Sequence, residues 1–448
     1  MEEHWLSFGA SELRAQATAH GAELAALAQR HAARAGRPRL LLTWSERWRA
    51  TALAVPAVRP TGDPELNADL AALRQVTPAL EKARQKGMPT ATLQQEQLRL
   101  EGMVRARALH AHRDPASGRG PVSIGELLDT LGSARLIQLT DIDGVLHVLV
   151  CGAGRVRQFA AGSTRDAART ADFARFALRR MARSHPADDL GSAQAIITSA
   201  GPALQEALLG PAVRHLGGGP VVIVPPGKFH SLPWALLPAL HDRVVSVAPS
   251  ATAWLRAHTA PAPQHRHVVL ARGPDLATEG AEVPVAARLY DDVTVLEGDS
   301  ATAKQVLDAV DGAWLAHIAA HGSFRADSPL FSSLRMQDGP VTVYDFEQLR
   351  RAPYRLILSS CDSGVVAAAG ADELLGLVSS LLPLGTAGMI AGVVPLNDHA
   401  VVPVMADLHR HVRAGQTLAE ALHTVRRAFA ADPVQQATAV SLIALGSG

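Results

Sequence analysis

An alternation running over the second half of the chain constrains the fold most. Short, uniformly apolar runs rich in β-branched residues are separated by stretches with helical patterning. PVVIVPPG, VVSVAP, HVVLARG, VTVLEG, AWLAHIAAHG, RLILSSCDSG and MIAGVVPL follow one another in this way. A strand covered on one face alternates apolar and polar residues, whereas a strand covered on both faces reads as a continuous apolar run. VVIV, WLAHIAA and LILSS are of the second kind. They are expected as central strands with helices above and below, in an α/β fold with a largely parallel sheet.

Upstream the pattern differs. RLIQLTDIDGVLHVLVCG is two apolar runs joined by Asp143-Gly144, a hairpin signal, and Cys151 ends the second run. A helix is expected around DAARTADFARFALRRMARS. Before the hairpin the chain is helical: Ser11 can cap a first run, and Asp63 followed by Pro64 is a cap plus first-turn proline for PELNADLAALRQVTPALEKARQKG. ATLQQEQLRLEGMVRARALHAHR continues as a third run. These read as amphipathic helices that form hairpins or the end of a helical-repeat array, with no unit repeated at a fixed period. HRDPASGRGPVS marks a linker near residues 112–123. A length of 448 residues exceeds what one core serves, so two or three folding units are expected.

One uncharged stretch, Leu374 to Leu396, is long enough to raise a membrane span. Pro383, Gly385, Gly388 and Gly392 interrupt it, so it reads as a buried helix ELLGLVSSLL, a turn PLGTAG and a buried strand MIAGVV. With 48% hydrophobic and 19% charged residues and a net charge of +1, the chain offers no field for nucleic acid or an anionic membrane. Two cysteines, Cys151 and Cys361, cannot build a disulfide framework or a multi-cysteine metal site. The opening MEEHWLSFGA lacks the apolar segment of a secretory signal, and a cytoplasmic, reduced setting is expected.

Functional groups in open α/β sheets collect where strands end. AWLAHIAA runs into His321-Gly322, and RLILSS runs into Cys361 within Cys361-Asp362-Ser363-Gly364. The two are far enough apart in sequence for the chain to return to a nearby strand, which would bring imidazole and thiol to one sheet edge. A thiol needs a proton acceptor to become a good nucleophile at neutral pH, and a neighbouring histidine provides one. Gly322, with no Cβ, can bring its N–H close to a reacting carbonyl and, with the N–H of Cys361, form an oxyanion hole. Taken alone, Cys361 is equally consistent with a small buried hydrophobe. His317 shares a strand face with His321, but no third ligand lies nearby, so it is expected packed or hydrogen-bonded and no metal is implied. Cys151 is expected as a core or surface thiol.

The motifs also carry a resemblance. PVVIVPPGKFHSLPWALLP, APSATAW, Ala281-Glu282-Val283, GDSATAKQVLDAV, AWLAHIAAHGSF, SPLFSSLRMQDGPVTVYDFEQLR, LILSSCDSG, ADELLGL and VVPLNDH occur in the order found in CHAT domains, of the caspase and separase clan of cysteine peptidases. The resemblance spans roughly Val122 to the C-terminus. It implies a caspase-like fold over 119–448, with an N-terminal lobe at 119–262 and a catalytic lobe at 263–448. Residues 1–118 look like the tail of the tetratricopeptide-type helices that often precede such domains. By the same resemblance His321 and Cys361 fall at the catalytic dyad.

The reading that follows is a cysteine endopeptidase, needing no cofactor, that acts on a protein or peptide substrate through an acyl-enzyme. The resemblance implies regulation, with an activating partner acting through the N-terminal helices, and a role in bacterial defence or cell death. Peptidases of this clan hold substrate as an extended strand, with a pocket for the residue before the cut. Asp398, Asp362, Asp372 and Glu373 are the candidates for an acidic pocket, Asp398 lying in a recurring family motif; each is also plausible as a cap or turn former. The alternatives are a catalytically silent scaffold of the same fold and a small-molecule acyl or amide hydrolase using the same dyad.

Overall fold

The computed structural model describes residues 22–53, 63–110, 123–183, 190–276, 278–323, 325, 328–359, 367–369, 373–375, 381–382 and 384–447. The Ser11 cap, residues 111–122 of the expected linker, Cys361, Asp362 and Asp372 lie outside the described residues.

Among the described residues four helices come first: α1 (Ala22–Arg34), α2 (Pro38–Leu53), α3 (Pro64–Gln85) and α4 (Ala91–His110). Asp63 caps α3, its carboxylate accepting from the N–H groups of Glu65 and Leu66, with Pro64 in the first turn where no N–H is missed. After α5 (Ile124–Leu131) the hairpin forms from β1 (Arg135–Ile142) and β2 (Val145–Gly152). Its turn residues Asp143 and Gly144 have φ of 54° and 84°, the left-handed pair that a two-residue hairpin needs. A third strand, β3 (Arg155–Ser163), extends the meander and leads into α6 (Thr164–Ala182), capped by Ser163, and α7 (Gly191–Leu208).

The remaining strands are β4 (Val221–Val224), β5 (Val245–Val247), β6 (Val268–Arg272), β7 (Val293–Leu296), β8 (Leu315–Ala319), β9 (Gly322–Ser323), β10 (Ser333–Met336), β11 (Gly339–Thr342), β12 (Arg355–Leu358), β13 (Ala367–Ala369), β14 (Glu373–Leu375), β15 (Gly388–Gly392) and β16 (Leu442–Gly446). Helices α8 (Ala251–His258), α9 (Glu282–Ala287), α10 (Ala303–Val310), α11 (Val401–Arg413), α12 (Leu418–Ala428) and α13 (Pro433–Ser441) lie between them.

Among the described residues eleven strands make one sheet in the order β3-β2-β1-β4-β5-β16-β15-β12-β8-β6-β7. β1, β4, β5 and β16 form one parallel block; β15, β12, β8, β6 and β7 form another; the two meet at the antiparallel pair β15–β16. β9, β10 and β11 form a separate antiparallel sheet. Every residue of β4, β8 and β15 is buried, as the apolar runs predict for strands covered twice, while the edge strand β7 is only half-buried. On one face of the second block, α10 packs Val306 and Val310 against Ala316 and Ile318; on the other, α9 and α11 pack Val283, Val404 and Leu408 against Leu315 and Ala319.

The stretch expected as a helix from Glu373 instead has Glu373–Leu375 paired antiparallel with Ala367–Ala369. Backbone pairing outweighs the modest helix preference of three residues. The strand expected at MIAGVV is β15.

The N-terminal helices share the core of the sheet. Leu66, Leu70, Leu73, Leu100 and Val104 of α3 and α4 belong to the same apolar cluster as Leu334 and Val341 of the small sheet. Leu41 and Leu42 of α2 pack with Leu136, Leu149 and Trp254 at the first block.

Candidate active site

The strand order sets where a site can form. The chain leaves β6 outward to β7, then returns to β8 on the other side of β6 and continues to β12 and β15. The C-terminal ends of β6 and β8 therefore flank a topological switch point, where connections diverge and open a crevice. Strand β6 runs out through Gly273 to Asp275, and β8 runs out through Ala320 to His321.

His321 is exposed, and its Nε2 donates to the carbonyl oxygen of Asp275 at 2.9 Å. A carbonyl only accepts, so a neutral His321 carries its proton on Nε2 and keeps the lone pair of Nδ1 available. Asp275 has φ of 60°, a left-handed conformation that costs an ordinary residue about 1 kcal/mol. Its carboxylate pairs with Arg335 at 2.8 Å, and the Arg335 N–H donates to the His321 carbonyl at 2.8 Å. Ring and backbone of His321 are thus both tied to the Asp275–Arg335 pair. Sequence reasoning missed Asp275 because it orients the ring through a backbone carbonyl, which no side-chain pattern reports.

Gly322 lies opposite Leu334, and the bonds that frame this bridge run from Arg335 N to His321 O, so Gly322 sits in a non-hydrogen-bonded position of the ladder. In such a position the N–H points away from the partner strand.

A cleft of about 670 Å³ opens beside this strand end. One wall is His321, Gly322, Ser323, Ser333 and Arg335; the other is the α3–α4 hairpin, with Thr77, Glu81, Gln94 and Leu98. Leu98 is 67% exposed. Helix α4 also holds the segment after Ser323: Glu101 pairs with Arg325 at 2.5 Å, and Arg105 donates to Ser328 Oγ at 2.8 Å.

Asp398 is exposed in the turn after β15. Asn397 beside it builds the turn, its Oδ1 accepting from the N–H groups of His399 and Ala400 while Nδ2 donates to the Ala182 carbonyl. Asp398 lies close enough to Glu282 of α9 to act on that carboxyl. Glu373 opens β14. His317 is fully buried and hydrogen-bonded to His409 and Ser359, a packed histidine. Cys151 is fully buried in β2, and burial pushes its thiol well above the ordinary range. Among the described residues no three His, Cys, Asp or Glu side chains gather as metal ligands, and no helix is long and apolar enough to cross a membrane.

A profile of the CHAT domain matches residues 198–440, just over half of the chain. Comparison with curated protein sequences returns no match. Among solved structures, the Saccharomyces cerevisiae separase–securin complex is similar with a TM-score of 0.57 at 10% identity, over 93% of this chain and 34% of the matched chain. A second structure of that complex gives a TM-score of 0.54 at 10% identity, over 90% and 36%. The complex of pro- and mature domains of Porphyromonas gingivalis RgpB matches over 64% of this chain and 77% of its own, at 13% identity and a TM-score of 0.37. This protein spans about a third of the length of the separase-complex chains it matches. It belongs to the CHAT domain family and has the fold of the caspase-like cysteine peptidases.

Proposed function

We propose that this protein is a cysteine endopeptidase whose dyad is Cys361 and His321. The observation that carries the reading is the placement of His321: an exposed imidazole at the switch point of the sheet, its Nε2 engaged by Asp275, facing a cleft large enough for a peptide segment. In this reaction the Cys361 thiol gives its proton to His321 Nδ1 and its sulfur attacks the substrate carbonyl carbon. The N–H groups of Gly322 and Cys361 hold the oxyanion. Collapse breaks the peptide bond as His321 returns the proton to the leaving amine, and water, deprotonated by the same ring, releases the acyl group.

Substrate lies as an extended segment between the α3–α4 hairpin and the β9–β10 edge, with Leu98 and Thr77 on one side and Ser323 and Ser333 on the other. Asp398 supports a pocket for a basic residue before the cut, with Asp362, Asp372 and Glu373 as further candidates. The contacts of α4 with Arg325 and Ser328 support control through the N-terminal helices, by a partner that moves them. Separase is bound to securin in the similar structure, which favours partner control here. The setting we propose is bacterial defence or cell death in the cytoplasm.

The test is covalent labelling by a panel of peptidyl electrophiles, read by intact mass and peptide mapping. One adduct is expected on Cys361, lost in Cys361→Ala and slowed about 10²- to 10⁴-fold in His321→Ala. Labelling of Cys361 at the same rate in His321→Ala sinks the dyad.

A further inference from the structure

Five polar side chains that this mechanism does not use lie in one line through the core. The Tyr290 hydroxyl is 2.9 Å from His409 Nδ1 and 3.3 Å from the His409 carbonyl oxygen. His409 Nε2 is 2.9 Å from His317 Nδ1, His317 Nε2 is 3.0 Å from Ser359 Oγ, and Ser359 Oγ is 3.1 Å from Glu282 Oε1. Both histidines are fully buried, and Glu282 is 3% exposed. The line joins α9, α11, β8 and the end of β12, and Ser359 stands two residues before Cys361 in sequence.

Counting protons orders the line. Burial holds both rings neutral, pushing His317 well below its ordinary range and His409 down to about 3. A neutral imidazole has one N–H and a hydroxyl one O–H, so each group donates once along the line. With Glu282 as a carboxylate, Ser359 donates to it, His317 Nε2–H to Ser359, His409 Nε2–H to His317 Nδ1, and Tyr290 to His409 Nδ1. With Glu282 as a carboxylic acid every bond reverses: Glu282 donates to Ser359, Ser359 to His317 Nε2, His317 Nδ1–H to His409 Nε2, and His409 Nδ1–H to the Tyr290 oxygen. Tyr290 then donates to the His409 carbonyl at 3.3 Å. Each bond has one donor and one acceptor in both arrangements, which differ by one proton.

We propose that Tyr290, His409, His317, Ser359 and Glu282 act as one hydrogen-bonded chain with two opposite polarities, exchanged by uptake of a single proton, and that the chain positions the end of β12 leading to Cys361. The second half rests on the peptidase reading. In the exchange the Tyr290 proton passes to His409 Nδ1, the Nε2 proton of His409 to His317, that of His317 to Ser359, and that of Ser359 to Glu282. Tyr290, half-buried where Glu282 and both histidines are enclosed, takes the replacing proton from solvent.

Among the described residues, these charged groups face the two ends. Burial raises Glu282 above the usual carboxylate range; its own backbone N–H and Ser359 act against this, Asp398 with it, and Arg272 against it. Arg272 is itself paired with Glu297 at 3.0 Å, and Glu282 Oε2 is buried without a hydrogen-bond partner among the described residues. Tyr290 is raised by burial, with Arg355 and Arg413 opposing. A proton added to His409 would push His317 lower still, so the two rings are not charged together.

The test is ¹⁵N-histidine NMR of the full chain from pH 8 to pH 4.5, with His317→Gln and His409→Gln to assign the rings. Both rings are expected as Nε2–H at high pH and as Nδ1–H at low pH, with one common midpoint that is absent in Glu282→Gln. Rings of opposite tautomer, separate midpoints, no change over the range, or the same transition in Glu282→Gln each overturn the two-polarity chain. For the positioning half, Ser359→Ala should slow labelling of Cys361 by a peptidyl electrophile about 10- to 100-fold, and Ser359→Thr should restore most of it. Wild-type rates in Ser359→Ala overturn that half. A wild-type chain that takes no peptidyl electrophile defeats the peptidase reading instead, and the same comparison is then made with iodoacetamide on Cys361 while the tautomer result stands by itself.

Discussion

Substituting Gly273 by alanine tests whether the backbone around His321 is as closely set as its contacts imply. Gly273 is the first residue after β6, and its N–H donates to the Ala319 carbonyl at 2.8 Å. A Cβ built there lies 2.4 Å from the Arg335 carbonyl oxygen and 2.9 Å from Ala320 Cβ. Ordinary contact begins near 3.4 Å, so the Arg335 backbone has to yield by about 1 Å. Arg335 N–H holds the His321 carbonyl, so the imidazole moves with it. A misplacement of that size costs a catalytic group about 100-fold, and overpacking costs the fold about 1 to 3 kcal/mol. The assay is the rate of Cys361 labelling by a peptidyl electrophile, measured beside urea unfolding. Gly218→Ala is the control, since its Cβ meets nothing within 4 Å. A folded Gly273→Ala that labels within twofold of wild type would refute the argument that this close approach sets the imidazole.

Cys151→Ala should leave Cys361 labelling unchanged, and native wild type should take no adduct at Cys151, because the thiol is enclosed and burial disfavours its thiolate; a Cys151 adduct on folded protein refutes this. His230 offers a pH test. Burial, with Arg49 adding to it, depresses the ring to about 3, against about 6.5 in an unfolded chain. The unfolded chain binds the proton first, so the stability that neutral His230 contributes is complete above about pH 6.5 and is lost as pH falls toward 3. Between pH 6 and pH 4 the urea-derived stability of wild type should fall more steeply than that of His230→Gln, by up to about 1.4 kcal/mol per pH unit. Parallel curves would mean that the buried ring is not neutral in the fold.

The parts of the fold legible in sequence are those where burial on two faces leaves a continuous apolar run. VVIV, LAHIA and GMIAG could not sit at an exposed edge, and Asp143-Gly144 admits the left-handed turn of a hairpin. β3 was hidden because RVRQFAAGS is a half-exposed strand carrying two arginines. β9 to β11 were hidden because strands of two to four residues have no period to read. His321 was legible as a residue at a strand end. That β6 and β8 flank the switch point was not, since strand order is set by long-range pairing. The line from Tyr290 to Glu282 has no local signature either: His317 and His409 are 92 residues apart and meet only because α11 lies across β8.

The placement of α3 and α4 bears on how such a site could be controlled. The segment leaving His321-Gly322 returns as β10, and α4 holds it from outside through Glu101 to Arg325, Arg105 to Ser328, and the Arg105 guanidinium over the Phe331 ring at 5.7 Å. Helix α3 holds β11 through Arg74, whose guanidinium pairs with Asp345 at 2.7 Å and whose carbonyl lies where a Cβ on Gly339 would sit, at a φ of 129° that favours glycine. Exposed ion pairs of this kind would be worth little. Glu101 and Asp345, however, are 4% and 3% exposed, so removing either arginine leaves a carboxylate in the protein interior, which costs several kcal/mol unless water follows it in. Small movements of the helices are therefore resisted, while a displacement large enough to admit water would release both pairs together. Because the same helices form one wall of the cleft beside His321, such a displacement would change the width of that cleft and the hold on the His-Gly segment in a single step.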